Sequence, residues 1–239
     1  MKASFRAGVA ALGTILAMGL APSAWGAAFT VSSTLTGDIR LDNPDNLIVN
    51  VTITGDTTSN VTSWVFDINS PAHPNIKLDE FYFNLVAPAS NYSFSGYDPS
   101  GWDVQSPASV QGAGGTTFLF EALDPAGDPN AADVTNAQNL TFTVTKGSGF
   151  FSSLDFLNAT TTISNDAGSG QLGAHLQSLT IGGNCGSNCS DSGFAFGNYT
   201  YRDNPSSGPV PEPNASSLAL LGMGILGATL WMRRRLRSV

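Results

Sequence analysis

Leu47-Ile48-Val49-Asn50-Val51-Thr52-Ile53-Thr54 alternates: Leu47, Val49, Val51 and Ile53 point one way, and Asn50, Thr52 and Thr54 the other. A period of two is the signature of a half-buried β-strand, apolar toward a core and polar toward water. Leu140-Thr141-Phe142-Thr143-Val144-Thr145 repeats the pattern more cleanly, and residues 61–68 and 117–123 are rich in β-branched and aromatic side chains. Along residues 76–86 the apolar parity shifts from Ile76 and Leu78 to Phe81, Phe83 and Leu85, and a bulge at Asp79-Glu80 reconciles the halves. Residues 29–35, 171–181 and 194–201 are further strand candidates, while 124–138, with Pro125, Gly127, Pro129 and four alanines, reads as a long loop. No convincing amphipathic helix interrupts the series. The reading is an all-β, antiparallel, jelly-roll-like β-sandwich of about eight to ten strands. No fixed-period repeat points to a solenoid or propeller.

The composition narrows the function. Only 12% of the 239 residues are charged, Gly alone numbers 26, and the formal net charge is −8. An acidic balance argues against a nucleic-acid partner, which needs a basic footprint. Two histidines and two cysteines are too few for a His/Cys metal cluster or a disulfide-rich scaffold.

Six of the ten basic residues lie in the first six or last seven positions. At the start, Lys2 and Arg6 precede an uncharged run over 7–21, then Pro22 and small residues, the three-part pattern of a secretory signal peptide. Residues 1–26 are assigned to it, with cleavage by signal peptidase after Gly26 or after Ala28. The ectodomain is residues 27–201, followed by a linker over 202–214 punctuated by Pro205, Pro209, Pro211 and Pro213, which should be extended and solvated. Residues 215–232 carry no charge; as a helix they span about 27 Å at roughly 1.5 Å per residue, close to a bilayer core of about 30 Å. The tail, 233–239, opens with Arg233-Arg234-Arg235, a stop-transfer cluster that should stay cytoplasmic and leave the ectodomain outside.

Val210-Pro211-Glu212-Pro213, the apolar Leu-Leu-Gly-Met-Gly-Ile-Leu-Gly span and the Arg cluster together resemble the PEP-CTERM sorting signal. That signal is found on surface proteins of Gram-negative bacteria, often ones that make exopolysaccharide and biofilm. The resemblance covers about 30 residues and implies recognition in the inner membrane by an exosortase, with removal of the tail near the Pro-Glu-Pro motif. In such a role Pro211 and Pro213 hold the peptide extended, so that a groove reads it without first ordering it. Glu212 is the one charge between them. The implied itinerary is export, an inner-membrane intermediate, then the cell surface or extracellular matrix. Gly101-Trp102, the Gln111-Gly112-Ala113-Gly114 turn, residues 139–144 and Gly173-Ala174-His175-Leu176-Gln177 resemble landmarks of uncharacterised PEP-CTERM ectodomains, a likeness that carries no chemistry.

Within the ectodomain, enzyme signatures are weak. No serine has glycine at both −2 and +2, so no nucleophile elbow is present. His73 lies between Pro71 and Pro74, and His175 in a strand candidate; both read as structural or solvent-exposed. A glycosidase needs two carboxylates about 5–10 Å apart, and nothing in the spacing of Glu80 and Glu121 demands such a pair. The chain is therefore expected not to be an enzyme, the alternative being a secreted polysaccharide-active glycoside hydrolase or lyase on the same scaffold. Cys185 and Cys189, in a Gly-rich loop of an exported chain, are expected to form a short disulfide ring. Tyr92, Tyr97 and Trp102, with Phe94 among them, are candidate sugar-stacking rings, against the plainer reading that they plug the sandwich edge. No cofactor is expected and no metal ligand is assigned, although Asp38, Asp42 and Asp45 in one loop, and Asp124, Asp128 and Asp133 in another, are the kind of oxygen clusters that hold calcium. Between residues 28 and 210 there are four basic and seventeen acidic side chains, a net charge of −13. Extracellular polysaccharide is the expected partner, and an anionic one would need a divalent cation to bridge the repulsion.

Overall fold

The alternating segments pair into an eleven-stranded antiparallel sheet. The structure is a computed structural model and describes residues 26–37, 47–109, 117–124, 134–164, 168–180 and 190–202. The strands are β1 (Ala28–Thr36), β2 (Ile48–Asp56), β3 (Val61–Ile68), β4 (Lys77–Phe83), β5 (Tyr92–Asp98), β6 (Asp103–Gln105), β7 (Ala108–Ser109) and β8 (Thr117–Phe118). They continue as β9 (Phe120–Leu123), β10 (Leu140–Lys146), β11 (Thr162–Ser164), β12 (Gly168–Gly170), β13 (Leu172–Thr180), β14 (Ser190–Gly197) and β15 (Thr200–Arg202). A single helical turn, α1 (Leu154–Leu157), joins β10 to β11. The signal-peptide segment, the cysteines, the sorting motif, the apolar span and the arginine tail lie outside the described residues.

The sheet runs in the order β5-β10-β3-β2-β1-β14-β13-β4-β9-β6, with β15 paired to the far stretch of β1. Alternation makes the strip amphipathic, and burying its apolar face requires the two ends to fold over each other. They do so through aromatic rings. Phe66 on β3 lies 4.4 Å from Phe81 on β4, Phe94 on β5 lies 5.0 Å from Phe120 on β9, and Phe142 on β10 lies 6.3 Å from Phe83. The result is an antiparallel β-sandwich, close to a barrel, whose two layers belong to one continuous sheet. Leu35, Val49, Val51, Ile53, Leu140 and Val144 fill the space between the rings and are fully buried. Each contributes about 1.5–3 kcal/mol of apolar burial.

Most strands fall where the sequence pattern puts them. The bulge expected at Asp79-Glu80 is present: opposite β13, Glu80 pairs with His175 and Leu78 with Leu176, leaving Asp79 as the extra residue. Residues 117–123 form two short strands rather than one, β8 pairing with β7 and β9 with β4 and β6. The short strands β6, β7, β11 and β12 are unexpected, and the longest unexpected strand is β5, where serines and a glycine hide the alternation. Its pairing with β10 slips by one residue between Ser95 and Asp98, and Gly96 takes φ +69° there.

That slip corrects the reading of the aromatic cluster as a sugar platform. Tyr92 and Phe94 share a face by alternation, and the extra residue turns Tyr97 onto it as well. All three therefore pack inward: Tyr92 on Phe120 and Phe151, and Tyr97 on Phe142. Tyr92 and Trp102 are core residues and offer no ring face to a sugar, while Tyr97 is half-buried against the core. The plainer reading, aromatics plugging the sandwich edge, is what the chain does with them.

Candidate functional site

Strand alternation sends Phe81 and Phe83 inward and leaves Glu80 and Tyr82 on the outer face of β4. Tyr82 is nonetheless fully buried, because the β7–β8 pair covers it with Ala108 and Phe118. A row of stacked rings runs across this outer face. Tyr82 packs on Phe118 (5.6 Å), Phe118 on Phe196 (6.3 Å), Phe196 on Phe194 (6.3 Å) and Phe194 on the imidazole of His175 (4.6 Å). His175 is the end of the row, and its ring plane is fixed within 15° of that of Phe194.

Two irregularities then bring acid groups to that imidazole. In a regular strand Asp79 and Glu80 would point to opposite faces; the bulge in β4 re-aims them toward the same partner. Nδ1 of His175 lies 2.8 Å from Asp79 Oδ2 and 3.6 Å from Glu80 Oε2. A second bulge, in β13, skips one residue between Leu176 and Leu179 against β14. Ser178 sits there at φ 60°, a left-handed conformation that costs a non-glycine residue about 1–2 kcal/mol. Gln177, beside it, donates its amide to Asp79 Oδ2 at 2.6 Å. The Tyr82 hydroxyl donates to Glu80 Oε2. Glu121, opposite Tyr82 across β9, adds a third carboxylate to the same face.

Electrostatics follow from this crowding. Burial disfavours the charged imidazole of His175, but its contacts with Asp79 and Glu80 outweigh that and push its pKa up to about 9. The same contact holds the Asp79 carboxyl below its ordinary value, against the opposing effect of burial. Glu121 is pushed up to about 7, first by burial and then by the negative charge of Glu80 and Asp79. Burial raises the Tyr82 phenol strongly, so it stays a donor at any physiological pH.

His73 is buried, and its Nδ1 accepts the Thr180 backbone N–H at 3.0 Å, pinning the end of β13. Burial holds its pKa below the ordinary value, which keeps the ring neutral. Asp124 is buried beside the bulge and donates its backbone N–H to the Asp79 carbonyl. The other loop aspartates considered for calcium (Asp38, Asp42, Asp45, Asp128 and Asp133) lie outside the described residues.

Asp79, Glu80 and His175 were legible in the sequence only in part. The parity shift marked the bulge, but nothing local said that β13, far along the chain, would lie beside it. The three offer one imidazole nitrogen and two carboxylate oxygens, all within 4.8 Å of one another. Such a set can hold a proton relay or a divalent ion.

Comparison with known proteins identifies the C-terminal segment: residues 209–235 match the PEP-CTERM protein-sorting motif. The chain thus carries the sorting signal that the order of its Pro-Glu-Pro motif, apolar span and arginines had pointed to, and with it export through a membrane-held intermediate processed by an exosortase. No curated protein and no solved structure matches the chain.

Proposed function

We propose that the exported domain is a structural or adhesive component of an extracellular polysaccharide matrix, delivered to the cell surface by exosortase processing. The observation that carries this reading is the pairing of a sorting motif at 209–235 with an acidic β-sandwich, most of whose described aromatic residues pack in its core. A surface carrying −13 between residues 28 and 210 does not approach an anionic polymer unaided, so attachment uses a bridging divalent cation. The disulfide between Cys185 and Cys189 belongs to the same proposal, as a local staple of an extracellular loop.

The test is retention of the protein in isolated matrix from the native host, with and without EDTA. Release by EDTA, restored by added divalent cation, supports the reading; retention unchanged by EDTA rejects the bridging.

One observation favours a second reading, a polysaccharide-active enzyme. Glu121, held near neutrality beside Glu80, has the protonation behaviour of a general acid. Incubating the mature protein with matrix polysaccharide separates the two readings. Release of new reducing or unsaturated ends, lost in Glu121→Gln, would establish the enzyme, and binding without product supports the adhesive role.

A further inference from the structure

We propose that Asp79, Glu80 and His175 form a binding site for one divalent transition-metal ion on the outer face of the sheet. Their ligand atoms all lie within 4.8 Å of one another, close enough to share an ion with bonds of about 2.0–2.2 Å after small side-chain adjustment. Nδ1 of His175 is fully buried, yet it makes no aligned hydrogen bond. Asp79 Oδ2 lies 2.8 Å from it and Glu80 Oε2 3.6 Å, so the ring nitrogen sits against both carboxylates.

The surroundings are those of a built site. The ring is clamped by its stack on Phe194, Gln177 orients Asp79, and Tyr82 orients Glu80. Outer partners of this kind fix ligand geometry in metal centres. Two departures from regular pairing, in adjacent strands, are both used to bring these side chains together.

The donor set selects the ion. An imidazole nitrogen with two carboxylate oxygens suits Zn²⁺ or a neighbouring transition ion, whereas Ca²⁺ takes six to eight oxygens. With Glu121 farther along the same face, opposite Tyr82, carboxylates outnumber the one imidazole there, which favours a cation. The side chains of Asp79, Glu80 and His175 are 17%, 22% and 16% exposed, so an ion held by three protein groups keeps its open coordination toward solvent. Bound there, it would clip β4 to β13.

The test uses mature protein stripped with EDTA, exchanged into chelator-free buffer and titrated with Zn²⁺ by calorimetry, with native mass spectrometry for stoichiometry. The expected result is one Zn²⁺ per chain, bound more tightly than Ca²⁺. His175→Phe, which keeps a ring on Phe194, should weaken binding by more than 100-fold, and Gln177→Leu by about 10–100-fold. Cys185→Ser with Cys189→Ser should leave it intact. Should His175→Phe fail to fold, Co²⁺ added to the wild-type protein supplies the readout, its visible and X-ray absorption reporting mixed nitrogen and oxygen ligands. Absence of Zn²⁺ binding by the wild type, binding abolished by the cysteine substitutions, equal binding in folded His175→Phe, or a Co²⁺ spectrum of sulfur ligation would each overturn the site.

Discussion

Trp64 meets Phe81 edge to face, with ring centroids 6.3 Å apart, and this contact joins the two layers of the sheet. Trp64 also packs on Phe83, Phe142, Phe156 and Tyr199, so one side chain reaches β4, β10, α1 and the segment before β15. Its indole N–H donates to Thr62 Oγ1 at 3.1 Å. Trp64→Ala should therefore cost about 3–5 kcal/mol in urea unfolding. Tyr97→Ala, at the half-buried rim, should cost clearly less. Equal losses at the two sites would contradict the placement of the core.

Lys146 and Asp155 form a largely buried ion pair at 2.6 Å, each side chain 13% exposed. Asp155 also accepts from the Ser152 backbone N–H, and Lys146 donates to the Phe150 carbonyl, so the pair ties the end of β10 to α1. Asp155→Ala leaves the ammonium without its partner and should destabilise by about 1–3 kcal/mol. The double variant Lys146→Met with Asp155→Ala should recover part of that loss. A double variant less stable than Asp155→Ala would show that the unpaired charge is not the cause.

Gly96 is the hinge of the β5 bulge, and a methyl group there meets only Thr143 Oγ1 at 3.6 Å. Space is therefore not the obstacle; the left-handed backbone is. Gly96→Ala should cost about 1–2 kcal/mol and Gly96→Asn less, since asparagine tolerates that conformation. A neutral Gly96→Ala in urea unfolding would argue against the bulge.

The acid cluster gives stability a pH dependence in chelator-treated protein. Glu121 rises from 4.5 to about 7 on folding, so the folded state binds the proton more tightly and stability falls as pH climbs through that window. His175 rises from 6.5 to about 9; its contribution is complete below about 6.5 and is lost as pH rises through about 9. Below about pH 6.5 the lowered pKa of buried His73 works the other way. The urea midpoint should thus decline most clearly between about pH 6.5 and 9, and Glu121→Gln should remove the Glu121 contribution below about pH 7 while leaving the upper part of the decline. A midpoint that rises between about pH 6.5 and 9 would contradict the His175 assignment, and a pH profile unchanged in Glu121→Gln the Glu121 one.

How far the sequence could be read depended on whether the physics was local. Residues 47–54 and 140–145 announce strands because alternation needs no partner to be visible, and the Pro-Glu-Pro motif, apolar span and arginines announce sorting for the same reason. The break in parity at Asp79-Glu80 is likewise written in the chain. What the bulge serves is not, because His175 arrives from β13, a pairing set by the whole sheet. The same limit explains Tyr92, Tyr97 and Trp102. Aromatics among serine and glycine look exposed until the strand pairing is known, and Tyr97 turns inward only because the register resets at Gly96.

Intact mass of the protein from the native host, with and without its exosortase, tests the central claim most directly. Export and sorting predict a mature chain beginning after Gly26 or Ala28, ending near Pro211-Glu212-Pro213, and lighter by two hydrogens for the Cys185–Cys189 bond. In the exosortase deletion the apolar span and the terminal arginines should stay attached. A wild-type mass that retains residues 215–239, or one unchanged by the deletion, would contradict the account.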